Sequence, residues 1–139
     1  GICWDQWFPE TARCLALMGA EILFYPTAIG SEPPDPAYDS KDHWQMCMQG
    51  HSAVNIMPVV ASNRLGTETF DQSEITFYGS SFITDNKGRI TKEMDRTSEG
   101  VIVEKIDLDA CQKERDAWGL FRDRRPAQYG PLMTLDGGI

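Results

Sequence analysis

Cys3 is the side chain in this sequence best suited to covalent chemistry, because it lies just before a helix start marked by Pro9 and Glu10. If a strand leads into Gly1, the thiol sits on a strand-to-helix elbow, where hydrolases present a nucleophile. A nearby helix N-terminus favours the thiolate form of such a cysteine. The backbone N–H of Trp4 would then point to the position of a developing oxyanion. By itself the pattern is weak, since most free cysteines are packing residues.

The elements that would position Cys3 alternate between helix and strand over the first half of the sequence. Helices are predicted over residues 9–18 and 40–56, and strands over residues 21–26 and 58–62. A loop rich in Pro and Gly connects the first strand to the second helix over residues 27–39.

The second half of the sequence predicts a strand meander and a last helix. Strands over 75–84 and 90–94 flank the hairpin signal Asp85-Asn86-Lys87-Gly88, and a further strand is predicted over 101–108. Asp109 with Gln112 resembles a capping box that opens a helix ending near residue 118. This order of elements predicts an α/β layered sandwich.

Seven segments spread along the chain form a more specific pattern. They are Ile2-Cys3-Trp4-Asp5-Gln6-Trp7-Phe8-Pro9-Glu10, Tyr25-Pro26-Thr27-Ala28-Ile29-Gly30-Ser31-Glu32-Pro33, His43-Trp44-Gln45, Gln49-Gly50-His51, Val60-Ala61-Ser62-Asn63-Arg64, Phe77-Tyr78-Gly79-Ser80-Ser81-Phe82 and Phe121-Arg122-Asp123-Arg124-Arg125-Pro126. In this order they resemble the nitrilase, or carbon–nitrogen hydrolase, superfamily, and most of all its branch that hydrolyses N-carbamoylputrescine in polyamine synthesis.

The resemblance implies an α-β-β-α sandwich and a Glu-Lys-Cys triad in which Cys3 is the nucleophile. The Glu acts as general base, while the Lys and the N–H of Trp4 stabilise the tetrahedral intermediate. Both partners precede the cysteine in this superfamily, so residues 1–139 are expected to be the C-terminal half of a single domain that is inactive alone. Glu10 and Lys41 are expected to be a helix-start acid and a surface lysine, not substitutes.

The resemblance also places four residues in the substrate pocket: Trp4 on one wall, and Ala28, Ile29 and Glu32 on the loop after the first strand. A carboxylate at position 32 would pair with a distal ammonium group such as that of putrescine. The alternative is that Glu32 is a solvated loop acid.

The residues that follow Cys3 bear on the choice of substrate. Superfamily members that hydrolyse carbamoylated amino acids place an Arg just after the cysteine to bind a carboxylate. Asp5 and Gln6 occupy that stretch here, which disfavours a substrate bearing a carboxylate. A small ureido or amide compound carrying a positive charge is the expected ligand.

Charge and composition exclude several other classes of function. The net charge is −8, and without clustered Lys and Arg we expect no nucleic-acid partner. No apolar run is long enough to span a membrane, so no membrane partner is expected. The scattered cysteines favour a cytoplasmic location. The four cysteines lack zinc-binding spacing, which predicts reduced thiols, no metal and no cofactor. His43 and His51 are expected to be structural.

Three alternatives remain open from the sequence. The chain belongs to an amidase of linear ureido-amines, to a general aliphatic amidase, or to a non-catalytic assembly subunit that keeps only the fold. The Arg-rich segment near residue 122 is expected to pack in a homo-oligomer interface or to be a solvated tail. Expressed alone, half a sandwich would expose an apolar sheet face and aggregate.

Overall fold

The computed structural model describes residues 1–35 and 37–138, so Pro36 of the predicted loop and Ile139 lie outside the described residues. A 3-10 turn over Cys3–Trp7 leads into three α-helices and six β-strands. The helices are α1 (Pro9–Leu17), α2 (Lys41–Asn55) and α3 (Leu108–Trp118). The strands are β1 (Leu23–Thr27), β2 (Val59–Asn63), β3 (Leu65–Phe70), β4 (Ser73–Tyr78), β5 (Phe82–Thr84) and β6 (Ile90–Glu93).

The main sheet has four strands in the order β1-β2-β5-β6. β1 and β2 run parallel in the register Leu23↔Val59 to Thr27↔Asn63, and α2 forms the crossover between them. β5 and β6 continue the sheet antiparallel. β3 and β4 form a separate two-stranded ribbon. The predicted α/β class is confirmed, with one sheet and one helical layer.

The core lies between this sheet and helices α1 and α2. Alternate residues of β1 and β2 face the helices and are buried, because successive side chains of a strand point to opposite faces. Trp44 of α2 fills the centre, fully buried, with its ring centroid 5.4 Å from that of Phe82. On the opposite face of the sheet Phe24 stays 57% exposed. The sheet is therefore covered on one face and partly open on the other.

The predicted strand over residues 75–84 is in fact two strands. Gly79 and Ser80 both have positive φ, at 54° and 58°, which ends β4 and turns the chain into β5. The preceding strand β3 was not predicted, because its residues are mostly exposed and lack an apolar face. Its pairing to β4 runs through six register pairs, with Thr67 Oγ1 2.8 Å from Thr76 Oγ1.

The predicted strand over residues 101–108 is wrong. Burial alternates along Val101 to Ile106 as in a strand, but no hydrogen bond between backbone groups is found for these residues within the described structure. Lys105 N donates only to the side chain of Glu104. The prediction failed because the sequence pattern specifies an extended chain with two unlike faces, and a partner strand is a separate requirement. Residues of the segment line cavities together with residues of β2 and β5, but the segment does not join the sheet.

The predicted capping box at Asp109 and Gln112 is also wrong. The N-cap of α3 is Asp107, whose Oδ1 accepts a hydrogen bond from Ala110 N at 2.9 Å. Gln112 instead donates to Asp116 further along the helix. The side chain nearest the last extended residue therefore begins α3, two residues earlier than predicted.

The C-terminal part packs on the core mainly through Phe121. Its ring is half-buried between two guanidinium groups, with Arg13 Cζ 4.7 Å and Arg115 Cζ 5.4 Å from the ring centroid. Arg115 also donates to the carbonyl oxygens of Ala20 and Ile56. These contacts attach α3 and the Arg-rich segment to α1. None of the described helices has the length and apolarity to cross a membrane.

Candidate active site

Cys3 begins the 3-10 turn at the edge of the sheet, where β1 ends. Its φ is 48°, in the left-handed region that non-glycine residues rarely adopt. The Gly1 nitrogen donates to the Phe24 carbonyl oxygen at 3.1 Å, so the chain that enters Cys3 runs beside β1. Unfavourable backbone conformations of this kind concentrate at functional sites. The thiol is half-buried and is one of four free cysteines in the described chain.

The 3-10 turn after Cys3 separates it from α1, which begins at Pro9 as predicted. Asp5 closes the turn by accepting from the backbone N–H of Ile2 at 3.0 Å. Gln6 is buried, and its Oε1 accepts from Trp44 Nε1 at 2.8 Å. The Asp5 side chain therefore closes the turn, and the Gln6 side chain attaches the turn to the core.

The backbone N–H of Trp4 is free to act as a donor. No acceptor for it is found among residues 1–35 and 37–138. The Trp4 side chain is 69% exposed and its ring lies edge-on to Trp7, at a centroid distance of 6.3 Å. A free N–H adjacent to a thiol is the arrangement that an oxyanion hole requires.

The sulfur of Cys3 has one hydrogen-bond partner in the described structure. Thr27, the last residue of β1, donates from Oγ1 to Cys3 Sγ at 3.4 Å. Thr27 is in register with Asn63 at the end of β2. In open α/β sheets ligands bind outside the carboxyl ends of parallel strands, and the thiol lies at this edge.

Asn63 organises the loops around that edge. Its Oδ1 accepts from Ile29 N, and its Nδ2 donates to the carbonyl oxygens of Ile29 and Gly79, each at 2.9 Å. The backbone N–H of Asn63 donates to Ser81 Oγ at 2.9 Å. One amide therefore joins the loop after β1 to the segment between β4 and β5.

The loop after β1 is also fixed to the ribbon. Gly30 forms an isolated bridge with Phe77, and Ser31 N donates to the Thr76 carbonyl oxygen at 2.8 Å. A Cβ at Gly30 would lie 2.2 Å from that carbonyl oxygen, so only glycine allows this approach. Ala28 and Glu32 are exposed on the same loop, and Ile29 is half-buried.

A cavity of about 580 Å³ lies next to this edge, lined by β2, by the turn into β5 and by residues 94–95 and 98–102. Two lining residues, Asn63 and Arg64, connect the cavity to the end of β1, because Asn63 is in register with Thr27 and Arg64 N donates to the Thr27 carbonyl oxygen. Cys3 and the predicted pocket residues Trp4, Ala28, Ile29 and Glu32 do not line it. The cavity and the thiol occupy neighbouring strand ends without sharing a wall.

Comparison with known proteins identifies the family of this arrangement. A family model described as carbon-nitrogen hydrolase matches residues 1–116. The chain belongs to the carbon-nitrogen hydrolase family. The free N–H, the thiol and the parallel strand ends all lie within the matched part.

Individual relatives of this carbon-nitrogen hydrolase chain agree with the family match. An N-carbamoylputrescine amidase of Arabidopsis thaliana is 56% identical over 142 residues, covering 99% of this chain and 48% of the relative. A citrullinase of Francisella tularensis is 59% identical over 133 residues, covering 96% and 46%. The chain thus spans about half the length of the curated relatives it matches.

A solved structure of a family member is also similar to this chain. A carbon-nitrogen hydrolase from Helicobacter pylori superposes with a TM-score of 0.88 at 37% identity, covering 97% of this chain and 48% of that chain. The predicted resemblance to the nitrilase superfamily is therefore confirmed, together with its fold.

Two residues at the ends of β1 and β2 were not singled out from the sequence. Thr27 and Asn63 belong to quoted segments, but their functional placement depends on the β1–β2 register, which a single sequence does not specify. Their position directly at the ends of two parallel strands was the available signal.

Several residues with chemical potential have other partners. Lys41 Nζ lies 2.9 Å from Glu93 Oε1, which also accepts from Gln45 Nε2 at 2.8 Å. His51 is buried with Nδ1 2.9 Å from the Tyr25 hydroxyl. The His43 ring is tilted by 59° against Trp7, at a centroid distance of 5.0 Å. No group of three or more His, Cys, Asp or Glu in the described ranges could hold a metal ion.

Proposed function

We propose that this chain carries the nucleophile of an amidase acting on linear ureido-amines, most specifically N-carbamoylputrescine. The observation that carries the proposal is Cys3, held at φ 48° beside the free N–H of Trp4 at a strand edge. A thiol and an unpaired donor in this relation suit attack on a carbonyl carbon. The family match and the relatives named N-carbamoylputrescine amidase support the same chemistry.

In the proposed reaction the Cys3 thiolate attacks the carbamoyl carbon and the carbonyl oxygen becomes an oxyanion that accepts from Trp4 N–H. Collapse of the tetrahedral intermediate breaks the terminal C–N bond, and ammonia leaves with an added proton. The thiocarbamate on Cys3 is then hydrolysed by water. The carbamic acid so released decomposes to putrescine and carbon dioxide.

These reaction steps need a general base and a cation in addition to Cys3. We propose that a Glu and a Lys outside residues 1–139 supply them, as the resemblance implies, and that this chain is the C-terminal half of the domain. Each such group contributes about 10²- to 10⁴-fold to the rate. Lys41 is paired to Glu93, which supports a structural role for that lysine.

The substrate proposal rests on charge around the loop after β1. Asp5 and Gln6 are occupied in fixing the 3-10 turn and supply no cation for a substrate carboxylate. Glu32 is exposed on the adjacent loop and would pair with the distal ammonium of putrescine. Trp4, Ala28 and Ile29 would line the path between the two ends of the substrate.

The nucleophile is tested in the full-length coding product that contains residues 1–139. Cys3→Ala is expected to reduce ammonia release from N-carbamoylputrescine by about 10⁴-fold or more, as removal of a nucleophile does. Cys14→Ala, which removes an exposed thiol of α1, is the matched control and should keep wild-type turnover. Turnover unchanged in Cys3→Ala would disprove the assignment.

The substrate is tested by charge. Glu32→Gln is expected to raise KM for N-carbamoylputrescine by about 3- to 10-fold, the loss of a charge-assisted contact, with little change in kcat. Asp35→Asn makes the same charge change on the same loop and should leave KM within about 2-fold. Equal effects of both variants would indicate only the overall acidic field.

Citrulline is the second candidate substrate, because the Francisella tularensis relative at 59% identity is named a citrullinase. Citrulline has the same ureido group but adds a carboxylate beside its ammonium. A kcat/KM for citrulline above that for N-carbamoylputrescine would select this alternative. Comparable rates on an uncharged aliphatic amide would select a general amidase. If no substrate is turned over and Cys3 does not react with thiol reagents, the chain belongs to a non-catalytic subunit.

We further propose a cytoplasmic homo-oligomer that needs no cofactor. The exposed apolar side chains at the C-terminal end of α1, Leu17 and Met18, support contact with another copy. Light scattering of the full-length product is the test, and a monomer at micromolar concentration would contradict it.

A further inference from the structure

We propose that Thr27 is a positioning residue for the nucleophile: its hydroxyl donates a hydrogen bond that orients the Cys3 sulfur and stabilises the charge it carries when it attacks. This inference rests on the proposed role of Cys3 and assigns Thr27 no contact with the reacting carbon.

The contact is specific at both ends. Thr27 Oγ1 donates to Cys3 Sγ at 3.4 Å, within the usual range for a sulfur acceptor, and both residues are half-buried. No other hydrogen bond engages this hydroxyl within the described parts of the chain. Among the described residues the sulfur is therefore the one acceptor available to its proton.

Thr27 is well suited to hold that direction. Its carbonyl oxygen accepts from Arg64 N at 3.2 Å, and its Cα is in register with Asn63 in the β1–β2 ladder. Its β-branched side chain has restricted χ1 freedom. The donor is thus mounted on the most regular part of the sheet, whereas the acceptor lies on a short turn.

Cys3 needs such a contact because its backbone alone does not fix its sulfur. The φ of 48° places Cα and Cβ, but the thiol can still rotate about χ1 among staggered positions. A charged sulfur accepts a stronger hydrogen bond than a neutral one. The Thr27 hydroxyl therefore selects one orientation of the sulfur and stabilises the charge it carries when it attacks.

Two substitutions separate this role from packing. Thr27→Val keeps the β-branched shape and removes the donor, and Thr27→Ser keeps the donor and removes the methyl group. Both are made in the full-length coding product. The rate of Cys3 alkylation by iodoacetamide at pH 7.5 is followed by peptide mass spectrometry, with the exposed Cys14 as reference in the same molecule.

Thr27→Val is expected to slow alkylation of Cys3 and lower kcat by roughly 5- to 10-fold, the effect of one hydrogen bond to a charged acceptor. KM, Cys14 labelling and the melting temperature should stay at wild-type values. Thr27→Ser should restore both rates to within about 2-fold of wild type. Equal losses in both variants, or no loss in Thr27→Val, would overturn the proposal.

Cys3→Ala tells the two hypotheses apart. If it abolishes turnover while Thr27→Val behaves as wild type, the nucleophile stands and Thr27 has no positioning role. If it retains turnover, the proposed function fails, and slower labelling in Thr27→Val would then report only a structural hydrogen bond.

Discussion

The residues up to Glu93 and those from Val101 onward are stabilised by different interactions. In the first region a continuous core connects α1, α2 and the main sheet, and eight polar side chains are buried with it. In the second region α3 buries no residue fully, and the extended segment before it has no backbone partner in the described structure. Packing defines the first region, whereas local capping and a few arginine contacts define the second.

This difference explains where the sequence was a good guide. α1, α2, β1 and β2 were predicted within a few residues, because apolar periodicity and burial coincide there. Val101 to Ile106 shows the same alternation, yet forms no strand. An alternation of apolar and polar residues shows that the two faces of an extended segment differ. It appears whether or not a partner strand supplies hydrogen bonds.

The residues of the candidate site also divide into those that the sequence could indicate and those that it could not. Cys3 could be selected from sequence because Pro9 marks the helix start after it and the segment around it resembles the nitrilase superfamily. The same resemblance selected the loop after β1. Thr27 and Asn63 could not be assigned roles, because these depend on which residues two strands place side by side. The positive φ at Ser80 was likewise missed, since serine carries no strong preference for that conformation.

The largest expected effect tests the core of the first region. Trp44→Ala removes a fully buried ring and its hydrogen bond to Gln6, so the free energy of unfolding should fall by about 3–5 kcal/mol. Met46→Ala, on the same helix but 67% exposed, should change it by less than about 0.5 kcal/mol. Urea unfolding of the full-length product measures both. Similar losses would remove the distinction between core and surface of α2.

The next effect tests the junction between the regions. Phe121→Leu keeps an apolar side chain but removes the ring between Arg13 and Arg115, and should cost about 1–2 kcal/mol, two cation–π contacts. Phe70→Leu alters an aromatic residue that is 85% exposed and serves as the control. If Phe121→Leu were as harmless as Phe70→Leu, the second region would not be attached through this ring.

A smaller effect tests the start of α3. Asp107→Ala removes the side chain that accepts from Ala110 N and should cost about 1 kcal/mol, as loss of an N-cap does. Asp109→Ala removes an acid of the first turn that makes no cap and should cost about half of this or less. The reverse order in urea unfolding would restore the predicted capping box.

The smallest effect concerns pH and returns to the first region. Burial lowers the pKa of His51 below its ordinary value of about 6.5, and the Glu10 charge opposes this shift only in part. Between the lowered pKa and 6.5 the unfolded chain binds more protons than the folded one, so stability falls as the pH drops through this window.

The two histidines of the sequence offer a matched pair for this measurement. His51→Gln should flatten the dependence of the urea midpoint on pH between 7 and 5, because the buried titrating group is gone. His43→Gln, which changes an exposed ring, should keep the wild-type slope. A steep slope that persists in His51→Gln would assign it to other groups.

The backbone at Cys3 creates a conflict between durability and chemistry. Glycine would adopt a φ of 48° at no steric cost, so at this position the residue best suited to the backbone is one that has no sulfur. Replacing Cys3 with glycine would therefore relieve the backbone and remove the proposed nucleophile. The left-handed conformation at Cys3 is a cost in stability that the proposed chemistry of its sulfur would offset.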